Sequence, residues 1–387
     1  MAQEIYSSSM RACGIRDLAP ARLERWMRDY YFNTDFDLGS SGVYSFSLRD
    51  IQDICGPSAD EMASIIFDDS MTQGSPGLRS AIASRWGDGN AEAVMATHGS
   101  NEAIYLVMNA LLSPGDEVIA LEPVYQQLWA IAEHIGCELK SWRLRQDRHF
   151  APDLDDLKAV LTSRTRMVVV NFPHNPCGVT LTQSQQQELI RVVSTVNAYL
   201  VWDAAFSDLV YMGERLAAPN HFYEKAITFG TLSKAFGLPG LRVGWFIASP
   251  DVIHTCLHVR DYLTLHLSPM IEFIAQRAIE NADRLLALRL PSVIDNLDRL
   301  RSWATRHEEW IEWIEPQGGV CAFPRLRAVD DVQAFCQELA EAHRVLLVPG
   351  TCFSIPSHVR IGFGSTADRF NEGLRRLTQL LDIYVRC

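Results

Sequence analysis

The chain has 387 residues, 48% of them hydrophobic and 21% charged, which is the composition of a globular protein with a core large enough to need no staples. A net charge of −12, from 35 Lys and Arg against 47 Asp and Glu, argues against binding a phosphate backbone, so no nucleic acid partner is expected. The opening MAQEIYSSSMRACG holds no apolar core of a signal peptide, and no apolar run is long enough to span a bilayer, so no membrane partner is expected either. The nine cysteines are odd in number and scattered, without a Cys-x-x-Cys or His-rich cluster. Neither a disulfide framework nor a metal site is expected, and a reducing cytoplasm is the natural setting.

At roughly 150 residues per domain the length suggests two to three units of core. Leu18 to Phe32 has the spacing of an amphipathic helix. Further on, Glu117 to Leu121 predicts a strand and Tyr125 to Ile135 a helix. Arg166 to Phe172 is a nearly continuous apolar strand. In Thr182 to Val196, Leu189, Ile190, Val193 and Val196 fall on one helical face. Strands follow at Tyr199 to Ala204, Ala226 to Phe229 and Val243 to Ala248. Strands separated by helices imply a mostly parallel sheet covered on both faces. Residues 271–310 read as long and helical, 311–387 alternate again, and the last helix runs from Ala367 to Val385. The division expected is an N-terminal helix and loop over 1–43, a large domain over 44–270, and a C-terminal part over 271–387 that shares a smaller domain with the first segment.

Five motifs carry chemistry. In Thr231-Leu232-Ser233-Lys234, with Arg242 eight residues beyond the lysine, a lysine at a strand end can form a Schiff base if its amine is neutral, and the hydroxyl and arginine can grip a phosphate. A surface loop would look similar. Asn171-Phe172-Pro173-His174-Asn175-Pro176 ends a buried strand in a prolyl turn that can aim Asn175 into a crevice, with His174 read as structural. Asp203 follows an apolar strand, where a carboxylate is costly unless paired or used as a helix cap. His98-Gly99-Ser100-Asn101 leads into an apolar helix whose first N–H groups suit an anion, though a plain capped helix start has the same form. Arg360 lies mid-strand in His358-Val359-Arg360-Ile361, where its fork suits a carboxylate, or else an exposed sheet edge.

Together these motifs resemble the fold-type-I pyridoxal-phosphate enzymes of the class I/II aminotransferase family. The likeness lies in order and spacing: Asn175 to Asp203 is 28 residues, Asp203 to Lys234 is 31, and Lys234 to Arg242 is 8. It runs from about Leu78-Arg79 to Arg360. The resemblance implies an α/β fold of the PLP-dependent transferase type, with a large domain whose mostly parallel sheet is sandwiched by helices and a smaller α/β domain from both chain ends. It implies pyridoxal 5′-phosphate as cofactor, a small amino acid substrate, and a homodimer with sites at the subunit interface. Lys234 would hold the cofactor and move protons at Cα. Asp203 would pair with the pyridine nitrogen, Asn175 would bond the phenolic oxygen, and Tyr125 would stack on the ring. Ser100, Asn101, Thr231, Ser233 and Arg242 would hold the phosphate, and Arg360 the α-carboxylate.

The chain departs from the common pattern at three places. Phe206 stands where most members have a tyrosine three residues after the aspartate, which removes a hydroxyl donor to the cofactor. Asp69 and Ser70 occupy the region of a tyrosine that usually reaches the neighbouring subunit's phosphate. Leu38-Gly39-Ser40-Ser41-Gly42-Val43 replaces the usual Gly-x-Pro-Asp-Phe loop. These departures resemble those of the capreomycidine synthases of antibiotic biosynthesis, as do the stretches Trp26 to Phe32, Arg260 to Pro269 and Gly318 to Pro324. That likeness implies a lyase that cyclises and dehydrates 3-hydroxy-L-arginine, with an ordinary amino acid aminotransferase or a 4-hydroxyarginine cyclodehydratase as alternatives. Gly39, Ser40 and Ser41 are the candidates for substrate contact in the N-terminal loop. An effector-sensing half of a transcription regulator is disfavoured, because only about 40 residues precede the core and the chain is acidic.

Overall fold

A computed structural model describes residues 18–386, so Cys13, Cys387 and the opening stretch read for a signal peptide lie outside the described residues. Its centre is a seven-stranded sheet in the order Val94–Thr97, Gly244–Ile247, Ala226–Thr231, Tyr199–Asp203, Thr165–Asn171, Glu117–Glu122 and Glu138–Arg143. Only Gly244–Ile247 runs antiparallel to its neighbours. The alternation of strand Thr165–Asn171 shows why its sequence is apolar throughout. Val168 and Val170 enter the core on one face of the sheet, while Met167 and Val169 enter the core on the other. Helices cover both faces, so neither set of side chains meets water.

Parallel pairing places the carboxyl ends of the central strands side by side. The register sets Asn171 beside Asp203, and Asp203 beside Phe229. The segments leaving these strands, which carry Asn175, Asp203 and Lys234, therefore open on one crevice, as ligand sites of open α/β sheets do.

The two ends of the chain meet away from this sheet. Phe36–Asp37 pairs in parallel with Val345–Leu346. Val359–Gly362, buried along its whole length, is the middle strand of a three-stranded antiparallel sheet with Cys321–Ala322 and Val348–Pro349. The final helix, Ala367–Arg386, buries Phe370, Leu374, Leu377 and Leu381 at helical spacing.

Several boundaries differ from the sequence reading. The helix expected from Tyr125 begins at Gln127, because the Tyr125 carbonyl is taken into a turn by the Leu128 N–H. Residues 271–310 hold two helices, Pro269–Glu280 and Ala282–Arg306, broken at Asn281, whose side chain bonds the Arg277 carbonyl at 2.9 Å. Strands Val94–Thr97 and Glu138–Arg143 escaped the reading; the second is an edge strand, largely exposed or half-buried and polar. The seven described cysteines are free thiols, and all but Cys137 are buried.

The N-terminal helix, Arg22–Tyr30, buries Leu23 and Trp26 and bridges two parts of the fold. Trp26 Nε1 donates to the Leu347 carbonyl at 2.7 Å, and the Arg22 N–H donates to Gln126 Oε1 at 2.9 Å. Trp26→Phe leaves that buried carbonyl without its donor, and should lower unfolding free energy by about 1–3 kcal/mol in a urea titration. An unchanged midpoint and slope would remove this contact from the account.

Candidate active site

The crevice at the strand ends is a cavity of about 870 Å³, closed on one side by the helix Arg22–Tyr30 and the loop 40–45. It gathers Lys234, Asp203, Asn175, Arg360, Tyr125, Phe206, Ser100, Asn101, Ser233, Arg242, Ser40 and Ser41 around one space. Thr231 and Gly39 are not on its walls.

Lys234 follows the strand Ala226–Thr231, and its Nζ donates to Ser41 Oγ at 2.9 Å. Burial, and then the charge of Arg360, push its amine below the ordinary lysine value, while Asp203 and Glu24 pull the other way. Asp203 ends the neighbouring strand and is buried, with Oδ1 accepting from the Ala205 N–H at 3.0 Å. Burial raises its carboxyl from 3.8 to about 6, against the Ala205 bond and the Lys234 charge. A carboxylate in this position calls for a cation.

Arg360 is 2% exposed, which excludes the exposed-edge alternative. Its Nε and Nη2 donate to the Gly39 carbonyl at 3.2 and 2.6 Å, and Nη1 donates to Asn175 Oδ1 at 3.2 Å. Gly39 thus anchors the arginine from behind. Asn175 is itself fixed by its N–H donating to Asn171 Oδ1 at 2.7 Å, while Asn171 Nδ2 donates to the Asp203 carbonyl at 3.0 Å. Asn171, not singled out from sequence as a site residue, therefore ties the Asn175 turn to the Asp203 strand. His174 is buried and its imidazole is lowered to about 3 by burial, so it is neutral and part of the core.

An anion cradle faces this group. Ser100 and Asn101 lie in the first turn of the helix Gly99–Leu111, whose leading N–H groups lack helical acceptors. Ser233 and Arg242 complete the wall. Two glycines permit the close approach. Gly99 has φ +75°, and a Cβ there would lie 2.6 Å from Arg242 Nη2. A Cβ on Gly244 would lie 2.4 Å from the Ser100 nitrogen. Thr231, expected to hold phosphate, donates to the Val243 carbonyl at 3.1 Å, lies 3.0 Å from Ser233 Oγ and accepts from the Ser233 N–H. It positions Ser233. The Tyr125 hydroxyl accepts from Asn101 Nδ2 at 3.0 Å and donates to Glu24 Oε1. Phe206 brings a ring without a hydroxyl to the cavity wall. Asp69 and Ser70 stay off the cavity, bonded to His266 and to Glu272.

These residues fit pyridoxal phosphate. The cradle offers N–H, hydroxyl and guanidinium donors to a phosphate, Asp203 offers a buried carboxylate to a ring N–H⁺, and Lys234 offers an amine to an aldehyde.

Two outcomes follow from this geometry. In the cofactor-free protein, raising the Asp203 carboxyl above its unfolded value makes the folded state bind the proton more tightly. Stability from this group is complete below pH 3.8 and is lost as pH rises through about 6. Asp203→Asn should therefore flatten the decline between pH 4 and 6 by on the order of 2–3 kcal/mol, read as the difference between the two proteins' denaturation curves. Gly244→Ala should weaken cofactor binding roughly tenfold or more in a fluorescence titration, because the added methyl displaces the Ser100 amide.

Comparison with known proteins agrees with the geometry. Residues 62–377 match the family model for aminotransferases of class I and II. The chain is 42% identical to the capreomycidine synthase of Streptomyces vinaceus over 375 residues, 96% of each chain. Its fold is similar to the crystal structure of the PLP-dependent cyclase OrfR, with a TM-score of 0.91 and 40% identity over 94% of this chain and 97% of that one. It is also similar to a PLP-dependent aminotransferase from Streptococcus suis, with a TM-score of 0.90 and 26% identity over 95% and 99%. The chain belongs to the class I and II aminotransferase family, and pyridoxal 5′-phosphate is its cofactor.

Proposed function

We propose that the chain is a lyase that converts 3-hydroxy-L-arginine to the cyclic guanidino amino acid capreomycidine, in antibiotic biosynthesis. The observation that carries this reading is the likeness to capreomycidine synthase along nearly the whole chain. The likeness to a PLP-dependent cyclase points the same way.

When bound, pyridoxal phosphate supplies an aldehyde that joins the substrate amine and a ring that takes up the electrons left at Cα. The chain's own residues do the rest. Arg360, held by Gly39 and Asn175, binds the α-carboxylate and fixes the direction of the Cα–H bond. Lys234, with its amine shifted toward the neutral form, takes the Cα proton and later returns it. Asp203 holds the ring nitrogen in its protonated form. Ser100, Asn101, Ser233 and Arg242 hold the phosphate, and Tyr125 covers the ring. The β-hydroxyl leaves as water with a proton that originates on the guanidinium, and a guanidine nitrogen bonds to Cβ. The net change is loss of one water. Holding both ends of one molecule makes closure unimolecular, where effective molarities on the order of 10⁵ M are reached. Phe206 and the loop 40–45 keep bulk water from competing at Cβ.

In this reading residues 44–270 form the cofactor-binding domain, and 1–43 with 271–387 form the smaller one. A second copy covers the exposed Ile66, Phe67, Tyr262 and Leu265, on segments joined by the Asp69–His266 contact at 3.1 Å. A cytoplasmic location accords with the seven free thiols and with no helix among the described residues being long and apolar enough to cross a membrane.

Incubation of the loaded enzyme with 3-hydroxy-L-arginine should give a cyclic product one water lighter, with no added keto acid. Dependence on a keto acid, with accumulation of pyridoxamine phosphate, would identify an aminotransferase instead. Arg360→Ala should weaken amino acid binding by roughly tenfold or more while leaving cofactor affinity within about threefold. The reverse pattern would remove Arg360 from the carboxylate site.

A further inference from the structure

We propose that Glu24 is the side-chain subsite of this cavity, its carboxylate receiving the guanidinium of a substrate whose α-carboxylate lies on Arg360. The inference rests on the arginine-derived substrate proposed above and names the residue that recognises it.

Three carboxylates line the cavity: Glu24, Asp37 and Asp203. Asp203 ends a central strand beside the lysine and is committed to the ring nitrogen. Asp37 Oδ1 accepts the N–H groups of Gly39 and Ser40, each at 2.8 Å, and so shapes the loop whose carbonyl anchors Arg360. Glu24 is committed at one oxygen only. Its Oε1 accepts from the Tyr125 hydroxyl, and among the described residues it enters no ion pair and its second oxygen takes no hydrogen bond. A carboxylate left unpaired on a cavity wall, half-buried, suits a cationic ligand group.

The other charges around it fit this assignment. The cations on the walls are Arg28, Lys234, Arg242, Arg360 and Arg369. Lys234, Arg242 and Arg360 have the roles described above. Arg28 and Arg369 are exposed, and Arg369 donates to the Asp35 carbonyl, so neither neutralises Glu24. Tyr125 relates the subsite to the cofactor, since its hydroxyl meets both Glu24 and Asn101 of the phosphate cradle. Glu24 therefore stands beside the ring-covering tyrosine rather than far out at the mouth, where a guanidinium bent back toward Cβ would be met.

The position is also rigid. One residue away, Leu23 is buried, and Trp26 and Arg22 bolt the helix to Leu347 and Gln126. A carboxylate on such a support can discriminate charge without an ordering cost.

The test uses the cofactor-loaded enzyme and measures equilibrium binding of L-arginine and of L-citrulline, which has nearly the same shape without the charge. Wild type should prefer arginine by at least tenfold. Glu24→Gln, which keeps shape and loses charge, should bring the two ligands within about threefold by weakening arginine alone, with cofactor absorbance and melting temperature unchanged. Glu24→Asp should restore part of the preference. A Glu24→Gln enzyme that still prefers arginine tenfold overturns the assignment while leaving the proposed reaction standing. A wild type with no preference overturns the cationic substrate and this inference with it.

Discussion

The architecture turns on the cost of keeping charge away from water. Asp203 and Lys234 leave neighbouring strands of one sheet, and Arg360 arrives from a different sheet built near the C-terminal end. Asp203 and Lys234 are drawn toward their neutral forms by the low-dielectric surroundings, and Arg360 is held by the Gly39 carbonyl and Asn175. The sheet register, the Asn171 link and the Gly39 carbonyl hold the three where a phosphate-bearing pyridine and an amino acid carboxylate can settle the imbalance. The same desolvation that makes these positions unfavourable alone shifts the lysine toward the neutral amine that can accept a proton, and makes the arginine a stronger carboxylate anchor.

The second constraint is closure. The N-terminal helix and the loop after it form one wall of the cavity, and they are fixed from two sides, by Gln126 near the large sheet and by Leu347 in the part built from the chain ends. The proposed elimination has a particular need for such a wall, because water is both its by-product and the rival nucleophile at Cβ. The loop 38–43, which departs from the common pattern of the family, brings Ser41 to Lys234 and Gly39 to Arg360. The departure thus lies at the two groups that would move the proton and hold the carboxylate.

Much of this was legible in the chain. Strand Thr165–Asn171 declared itself because both of its faces are buried, so its apolar run is unbroken. Lys234, Asp203 and Asn175 were legible because each follows such a strand, where a polar residue has few structural reasons to be. Other positions were hidden for physical reasons. Glu138–Arg143 is an edge strand, and its polar alternation resembles a loop. Thr231 sits at phosphate-binding spacing, and its contacts with the Val243 carbonyl and Ser233 Oγ depend on a rotamer that spacing does not encode. Glu24 lies in a helix whose apolar stripe was visible, yet nothing local tells a solvated glutamate from one facing a cavity assembled from segments a hundred residues away. Ser40 and Ser41, the candidates for substrate contact, both line the cavity, with Ser41 accepting from Lys234 and the Ser40 N–H donating to Asp37.

The claim on which everything else depends is that the Lys234 amine carries the cofactor. Reduction of the loaded enzyme with borohydride, followed by proteolysis and mass analysis, tests it directly. The account predicts a single pyridoxyl-phosphate adduct on the peptide containing Lys234, and none when that residue is replaced by alanine. An adduct on the peptide of Lys140, Lys158 or Lys225, or no adduct at all, would contradict it.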